Sequence, residues 1–217
     1  MKIYPIFASF LMLCLLMAKT GMAQMENVAV FGSPMSDISD NFKKAAYQFG
    51  TILGKEKKTL VYDGSTNGLP ASVLKGVVKE KARVIGVTTQ PISDETCPLN
   101  HECRQGISVL TATSNEQKLK MFETADVIVI MAGSWETLSV FADFTSLVEQ
   151  KEQPKKPVIF LNTNHYWDDF QYQTDEMKRQ HILTEKQSNY IAFVEKPRDV
   201  LPAALKIQKT INKEKTP

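Results

Sequence analysis

The 217-residue sequence has almost no net charge, no internal repeat and only three cysteines. Its 26 Lys and Arg against 24 Asp and Glu leave a net charge of +2, which provides no basic surface for nucleic acid. Ten Gly and ten Pro are scattered, which excludes a collagen-like or low-complexity chain. The 43% apolar and 23% charged content is that of a globular protein, and the length fits one ordinary domain.

The first 24 residues have the three parts of a secretory signal peptide. A short basic start precedes an apolar run at 6–17, which is too short for a comfortable membrane span. Small residues follow at 21 and 23, so cleavage is predicted after Ala23 or Gln24, leaving a domain at 25–217. The protein is therefore expected to be exported, periplasmic or secreted, with no membrane association after cleavage. A retained anchor, or a start at Met25 that would make the protein cytoplasmic, remains the alternative.

Cysteine usage agrees with export. Cys14 leaves with the signal, and Cys97 and Cys103 remain in one short loop, where an even count in an exported chain predicts a disulfide. The alternative is a metal site with His101 between the two thiols, but zinc sites usually show a different spacing. We expect no metal site and no cofactor. Removal of residues 1–24 also leaves 24 basic and 24 acidic residues, so the mature domain is neutral.

Strand and helix patterns alternate along the chain. Short apolar runs predict strands at 27–32, 59–62, 82–88, 106–110, 126–131, 157–162 and 190–194. Helical spacing of apolar residues predicts helices at 40–53, 69–81, 115–124, 137–150, 167–184 and 197–211. Continuous apolar strands that are each followed by a helix predict a doubly wound, mostly parallel, Rossmann-like α/β sheet with helices on both faces.

Four loops follow predicted strands at the edge where such sheets bind ligands. They lie at 32–37, 63–68, 132–136 and 162–167, and each is rich in Gly, Ser, Thr or Asn. Residues of these types expose backbone N–H groups and hydroxyls to an anion. Strand–helix loops are generally polar, but four on one edge favour a nucleotide or phosphate site.

Four segments in order resemble the LOG (Lonely guy) family, once mislabelled as lysine decarboxylases. VFGS at 30–33 matches the opening strand and turn, and VYDGSTNGL at 61–69 is similar to the family's VYGGGxxGLMG loop. NEQK at 115–118 resembles the MHxRK helix, and MAGSWETL at 131–138 occupies the place of LPGGxGTL. Further matches at 156–158 and 161–162 extend the resemblance over nearly all of the mature chain.

The resemblance implies a homodimer that binds a small phosphorylated or nucleotide-like ligand. Studied members of the family cleave the N-glycosidic bond of cytokinin riboside 5′-monophosphates. Their PGGxGT loop holds phosphate through backbone N–H groups, while an Arg of MHxRK and a Glu closing PGGxGTxxE complete the site. Carried over position by position, the ligand-binding residues are Gly32, Ser33, Gly64, Gly68, Asn115, Lys118, Gly133, Ser134 and Thr137.

The sequence departs from the family at the positions that carry the chemistry. Gln117 stands at the Arg position and Val140 at the catalytic Glu position. Ser134 and Glu136 replace two glycines of the phosphate loop, and a carboxylate at Glu136 would repel a phosphate. Glu136 and Glu116 are the candidate replacement acids, with Asp63 as a third.

Each candidate has a plain structural alternative. An exposed helix acid is the favoured reading of Glu116, whereas for Glu136 a helix-start acid and a site role are equally weighted. Packing is favoured over base stacking for Trp135, and a capping-region histidine over an acid–base role for His165.

Three functions remain open at the level of the sequence. The first is a divergent, weakly active or inactive LOG-like protein that binds a ligand. The second is a phosphoribohydrolase with relocated acids, and the third is an exported interaction protein without a ligand.

Overall fold

Seven strands and seven α-helices make up the part of the chain that the computed structural model describes, residues 25–90 and 106–214. The strands are β1 (Asn27–Phe31), β2 (Thr59–Tyr62), β3 (Val84–Thr88), β4 (Ile107–Leu110), β5 (Val127–Ile130), β6 (Val158–Leu161) and β7 (Ile191–Val194). The helices are α1 (Asp40–Lys55), α2 (Gly68–Lys79), α3 (Ser114–Thr124), α4 (Trp135–Glu149), α5 (Asp168–Arg179), α6 (Glu185–Ser188) and α7 (Val200–Glu214). Two 3₁₀ turns, Thr163–His165 and Pro197–Asp199, precede α5 and α7.

The strands form one sheet in the order β4-β3-β2-β1-β5-β6-β7, and every pairing is parallel. The chain moves outward from β1 through β2 and β3 to β4, then returns to β5 and moves the other way. Because parallel crossovers are right-handed, α1 and α2 lie on one face and α3, α4 and α5 on the other. The predicted doubly wound α/β fold is confirmed, and the sheet is parallel throughout.

Burial explains why the apolar runs form these strands. β2, β5 and β6 are buried at every residue, as expected for central strands covered on both faces. The edge strands differ, since Ile107 and Leu110 of β4 are 64% and 61% exposed. On β6, Phe160 anchors an aromatic cluster, with ring centroids 4.7 Å from Phe193 and 5.1 Å from Phe141.

The predicted helix at 167–184 is shorter in the structure. It ends at Arg179, and His181 adopts a left-handed φ of 57° that helical geometry does not allow. The backbone N–H groups of Ile182 and Leu183 then both turn back to the carbonyl of Met177. A separate short helix, α6, follows, and its start is fixed by a capping box between Thr184 and Gln187.

Several predictions fall on residues outside the described ranges. These are the signal segment at 1–24 and the loop that holds Cys97, His101 and Cys103. Within 25–90 and 106–214, no helix is long and apolar enough to cross a membrane. The same ranges contain no group of three or more His, Cys, Asp or Glu side chains placed to hold a metal ion.

Candidate functional site

The topology creates a crevice between β1 and β5, which is the point where the strand order reverses. The parallel ladder continues past both strands, because the amide of Ser33 donates to the carbonyl of Ala132 at 2.9 Å. Beyond this bond the chain enters α1 on one face and α4 on the other, so the two loops separate. Open α/β sheets bind ligands at this position.

The loop between β2 and α2 closes one side of the crevice. The amide of Leu69 donates to the carbonyl of Ser33 at 2.9 Å. Gly68 has a φ of 71°, and a methyl group in its place would lie 2.2 Å from the Ser33 carbonyl oxygen. Only glycine allows this approach. Gly68 therefore lets the loop after β2 pack against the loop after β1, which contains Gly32 and Ser33.

The loop between β5 and α4 is held from two directions. A methyl group at Gly133 would lie 2.0 Å from Oγ1 of Thr137, which is 5% exposed and fills the space beneath the loop. From outside, the hydroxyl of Tyr166 donates to the Gly133 carbonyl at 2.6 Å. The loop is therefore fixed before α4 begins.

Four of the helices that start at this edge of the sheet, α1, α2, α4 and α5, lack side-chain caps. Asn67 and Ser134 occupy the N-cap positions of α2 and α4, and neither side chain bonds to a first-turn amide. By contrast, Thr113 caps α3 and Thr184 caps α6 through their hydroxyl groups. In α2 the Leu69 amide is already bonded to the Ser33 carbonyl and Pro70 has no N–H, so it is the first-turn N–H groups of α4 that are left available to a ligand anion.

Glu136 lies exposed in the first turn of α4. In residues 25–90 and 106–214, its carboxylate makes no hydrogen bond or ion pair, although its carbonyl accepts from the Ser139 hydroxyl at 3.0 Å. The side chain is free to turn toward a ligand or away from it. Both readings offered by the sequence, a helix-start acid and a site acid, fit this position.

Gln117 stands at the position of the family arginine, and its side chain makes hydrogen bonds within the protein. Its side-chain nitrogen donates to the carbonyl of Asp63 at 2.9 Å and to the carbonyl of Val87 at 2.7 Å. These two bonds use both amide hydrogens and join α3 to the ends of β2 and β3. Gln117 therefore ties the sheet edge together and offers no positive charge to a ligand.

Val140, at the position of the catalytic glutamate, is part of the hydrophobic core. Its side chain is 5% exposed on the inner side of α4. The structure thus places neither a charge nor an acid at these two family positions.

The other acids near the edge already have partners. Glu116 is the exposed helix acid that the sequence favoured, and it accepts a hydrogen bond from the amide of Ala112 at 2.9 Å just before α3. Asp63 accepts from the amide of Ser65 at 3.0 Å and shapes the β2–α2 loop. Burial, and next the Asp63 carboxylate, raise the pKa of Tyr62 to about 12, so this phenol stays neutral.

Asn115 and Lys118 line a groove that includes no residue of the two fixed loops. The groove lies between α3 and α4 and has a volume of about 330 Å³. The Lys118 ammonium pairs with Asp143 of α4 at 2.5 Å, and these side chains are 26% and 46% exposed. The positive charge expected to contact a ligand is therefore largely neutralised.

The loop after β6 supplies residues that the sequence reading missed. Asn162, 4% exposed, accepts from the Trp167 amide at 2.6 Å and donates to Asp168 at 2.7 Å. Asp168 also lies 3.2 Å from Nδ1 of His165, which agrees with a structural role for that histidine. Tyr166 was missed because a tyrosine two positions before the Asp–Asp start of a helix is not a recognisable sequence pattern for a site residue.

The sequence favoured packing for Trp135, and this prediction is wrong. The side chain is 85% exposed at the first position of α4. Trp167, the second tryptophan of the chain, is 4% exposed and packs edge-on against Phe160 with ring centroids 5.3 Å apart.

These features define a Rossmann-like α/β protein with a crevice at its topological switch point, the position where proteins of this fold class bind ligands. Residues 71–204, more than half of the chain, match the family model described as "Possible lysine decarboxylase", so the chain belongs to this family, the LOG family. A comparison with curated protein sequences finds no significant match.

Solved structures show the same fold. The molybdenum cofactor binding protein of Rippkaea orientalis is 21% identical, covers 88% of this chain and 99% of its own, and has a TM-score of 0.59. The Moco carrier protein of Chlamydomonas reinhardtii is 17% identical, covers 86% and 99%, and has a TM-score of 0.61. DNA processing protein A of Helicobacter pylori is 12% identical, covers 86% and 84%, and has a TM-score of 0.54.

Proposed function

We propose that the chain binds a small phosphorylated or nucleotide-like ligand at the carboxyl ends of β1, β2 and β5 and has little or no hydrolytic activity toward it. The observation that carries this proposal is the start of α4. Ser134 at its N-cap makes no side-chain bond to the first-turn amides, and the loop that leads into them is held in place by Thr137 and Tyr166. Uncapped amides together with the positive end of the helix dipole favour an anion.

Solved structures with the same fold support a role for this chain in binding a ligand. Two of the similar structures are described as a binding protein and a carrier protein for the molybdenum cofactor. A binding role is therefore found on this fold. Gln117 and Val140 also fit such a role, because both side chains serve the fold itself.

Ligand binding should raise the melting temperature of the purified protein. The panel is AMP, GMP, CMP, UMP, ribose 5-phosphate and the molybdenum cofactor, because a ligand that binds only the folded state stabilises it. Ser134→Asp should abolish the shift while keeping or raising the melting temperature without ligand. Its carboxylate would cap α4 and occupy the amides that the ligand needs.

Thr184→Asp is the matched control, since it adds the same charge at the start of α6 and should leave the shift intact. Absence of a shift with every ligand would contradict the proposal, as would full binding by the Ser134→Asp variant. Homodimer formation, which the family resemblance implies, is measured on the same samples by light scattering.

A working phosphoribohydrolase with a relocated acid is the second candidate. The unpartnered carboxylate of Glu136 at the start of α4, seen within the described ranges, is the observation that favours it. Adenine release from AMP that Glu136→Gln removes would establish this function in place of pure binding. An exported interaction protein remains the third candidate, and a protein that binds none of the panel but captures a partner would support it.

We also propose that the protein is exported and that Cys97 and Cys103 form a disulfide. The signal-like segment at 1–24 and the even number of remaining cysteines support both statements. The intact mass of the natively expressed protein should show a start at position 24 or 25 and a loss of two hydrogens. A start at Met1, or a start at Met25 in protein recovered from the cytosol, would refute export, and two free thiols in protein from an oxidising compartment would refute the disulfide.

A further inference from the structure

A groove on the side of α1 that faces away from the hydrophobic core is separate from the crevice at the carboxyl edge. It has a volume of about 470 Å³ and is lined by the second half of α1, the last residue of α2 and the 3₁₀ turn before α7. No residue of the loops after β1, β2 or β5 is among the described residues that line it. Small-molecule sites typically have volumes of about 300–1,000 Å³, so the groove has the size of a ligand site.

Close packing of α1 against α2 sets one wall of the groove. A methyl group at Gly50 would lie 2.0 Å from the carbonyl oxygen of Val73, and a methyl group at Gly76 would lie 2.3 Å from that of Tyr47. The two helix backbones are therefore in direct contact, which brings the end of α2 to the surface of α1. There the Lys79 ammonium lies 5.8 Å from the centroid of the Tyr47 ring, within the range of a cation–π interaction.

The turn before α7 sets another wall. The amide of Asp199 donates to the carbonyl of Lys196 at 3.0 Å, and Pro197 fixes the backbone at the first position of the turn. The same turn packs against α1. The backbone on both sides of the groove is therefore held in place before any ligand binds, which lowers the entropic cost of binding.

The groove combines an apolar floor with charge of one sign. Its walls are mainly apolar, with Tyr47 and Ile52 of α1 in the floor, and its charged residues among those described are all basic, namely Lys79, Lys196 and Arg198. Arg198 lies 3.9 Å from Asp199, and both side chains are more than half exposed, so this pair is weak. Within residues 25–90 and 106–214, Lys79 and Lys196 have no carboxylate partner. An apolar surface with unneutralised positive charge at its rim complements a ligand of negative charge and apolar body.

We propose that this groove is a second binding site of the protein and that it takes a small amphiphilic anion, of the class of medium-chain carboxylates. The apolar chain lies along Tyr47 and Ile52, and the carboxylate contacts the basic side chains at the rim. A three-turn peptide helix is about 10 Å across and 16 Å long, which exceeds the groove, so a small molecule is the better fit. The site is independent of the ligand proposed for the carboxyl edge.

Calorimetry with octanoate, acetate and octanol tests both parts of the proposal. Octanoate should bind, whereas acetate lacks the apolar chain and octanol lacks the charge, so both should bind more weakly than octanoate. An exposed charge pair is typically worth a factor of about 1.4 to 5 in affinity. Lys79→Ala combined with Arg198→Ala should therefore weaken octanoate binding by about 2- to 30-fold, and it should leave octanol binding unaltered.

Two control variants separate the groove from general charge effects. Lys79→Arg combined with Arg198→Lys keeps both charges and should keep the affinity for octanoate. Lys206→Ala combined with Lys209→Ala removes two charges from exposed positions of α7 that do not line the groove, and should also leave the affinity unchanged. All these positions are exposed, so each variant should melt close to the unchanged protein in the absence of ligand.

Four results would overturn the proposal and leave the proposed function untouched. These are no binding of octanoate, acetate binding as tightly as octanoate, equal octanoate affinity in the unchanged protein and the double alanine variant at Lys79 and Arg198, and competition of octanoate with AMP or ribose 5-phosphate. Competition would place octanoate in the crevice between β1 and β5. A double alanine variant that changes the oligomeric state and not the octanoate affinity would likewise overturn the proposal and assign the groove to a contact between two copies of the chain.

Discussion

Purified protein should release no detectable adenine from AMP, with a rate about four orders of magnitude or more below that of a LOG-family enzyme that keeps both charges. Removing one preorganised group that stabilises a transition state typically costs about 2.7–4 kcal/mol. Two such groups are absent here, because Gln117 replaces the arginine and Val140 the glutamate. The geometry adds that Gln117 cannot substitute for the arginine through its amide, since both of its donor hydrogens are bound to backbone carbonyls.

The measurement follows adenine and ribose 5-phosphate by chromatography, with a family member that carries both charged residues as the reference enzyme. Robust release of adenine would contradict the expectation and indicate a relocated acid. Alanine substitution would then identify it, and the structure ranks the candidates. Glu136 comes first, because Glu116 and Asp63 already accept hydrogen bonds from backbone amides.

Much of the fold follows from local patterns in the sequence. The apolar runs predicted all seven described strands, and for the central strands the reason is that buried parallel strands need apolar side chains on both faces. The order of the strands in the sheet could not be predicted in this way, because the apolar run of β5 does not specify that β1 and β6 are its neighbours. The end of α5 was also missed, because Lys, Arg and Gln around His181 are good helix formers and only the left-handed turn there ends the helix.

The sequence predicted which edge of the sheet carries the candidate site, but it did not predict the hydrogen bonds and exposures of the residues there. Glycines and polar loops after strands pointed to the carboxyl edge of the sheet, where the loops after β1, β2 and β5 meet. The hydrogen bonds of Gln117 join residues 54 and 30 positions away in sequence, so no local pattern contains them. The exposure of Trp135 was equally hidden, because its flanking residues do not show which side of α4 faces the sheet.

Val140→Glu should destabilise the protein by about 3–5 kcal/mol at neutral pH, the range typical of an uncompensated buried charge. The position is 5% exposed within the hydrophobic core, so the introduced carboxylate would lose its hydration without gaining a partner. Ser139→Glu is the matched control, since it places the same side chain one residue earlier on the exposed side of α4. Its effect should stay within about 0.5 kcal/mol.

Urea unfolding of both variants at pH 7 and at pH 4 tests this expectation and its cause. Burial raises the pKa of the introduced carboxyl in the folded state above its unfolded value of about 4.3. The folded protein therefore takes up the proton first, and the penalty that is present above the unfolded pKa shrinks as the pH falls toward it.

A Val140→Glu protein as stable as Ser139→Glu at pH 7 would mean that solvent reaches this side of α4. The catalytic acid of the family could then be restored by one substitution. A large penalty that is relieved at low pH would instead mean that recovery of hydrolysis requires repacking of the core beneath α4, because a single acid cannot be accommodated there.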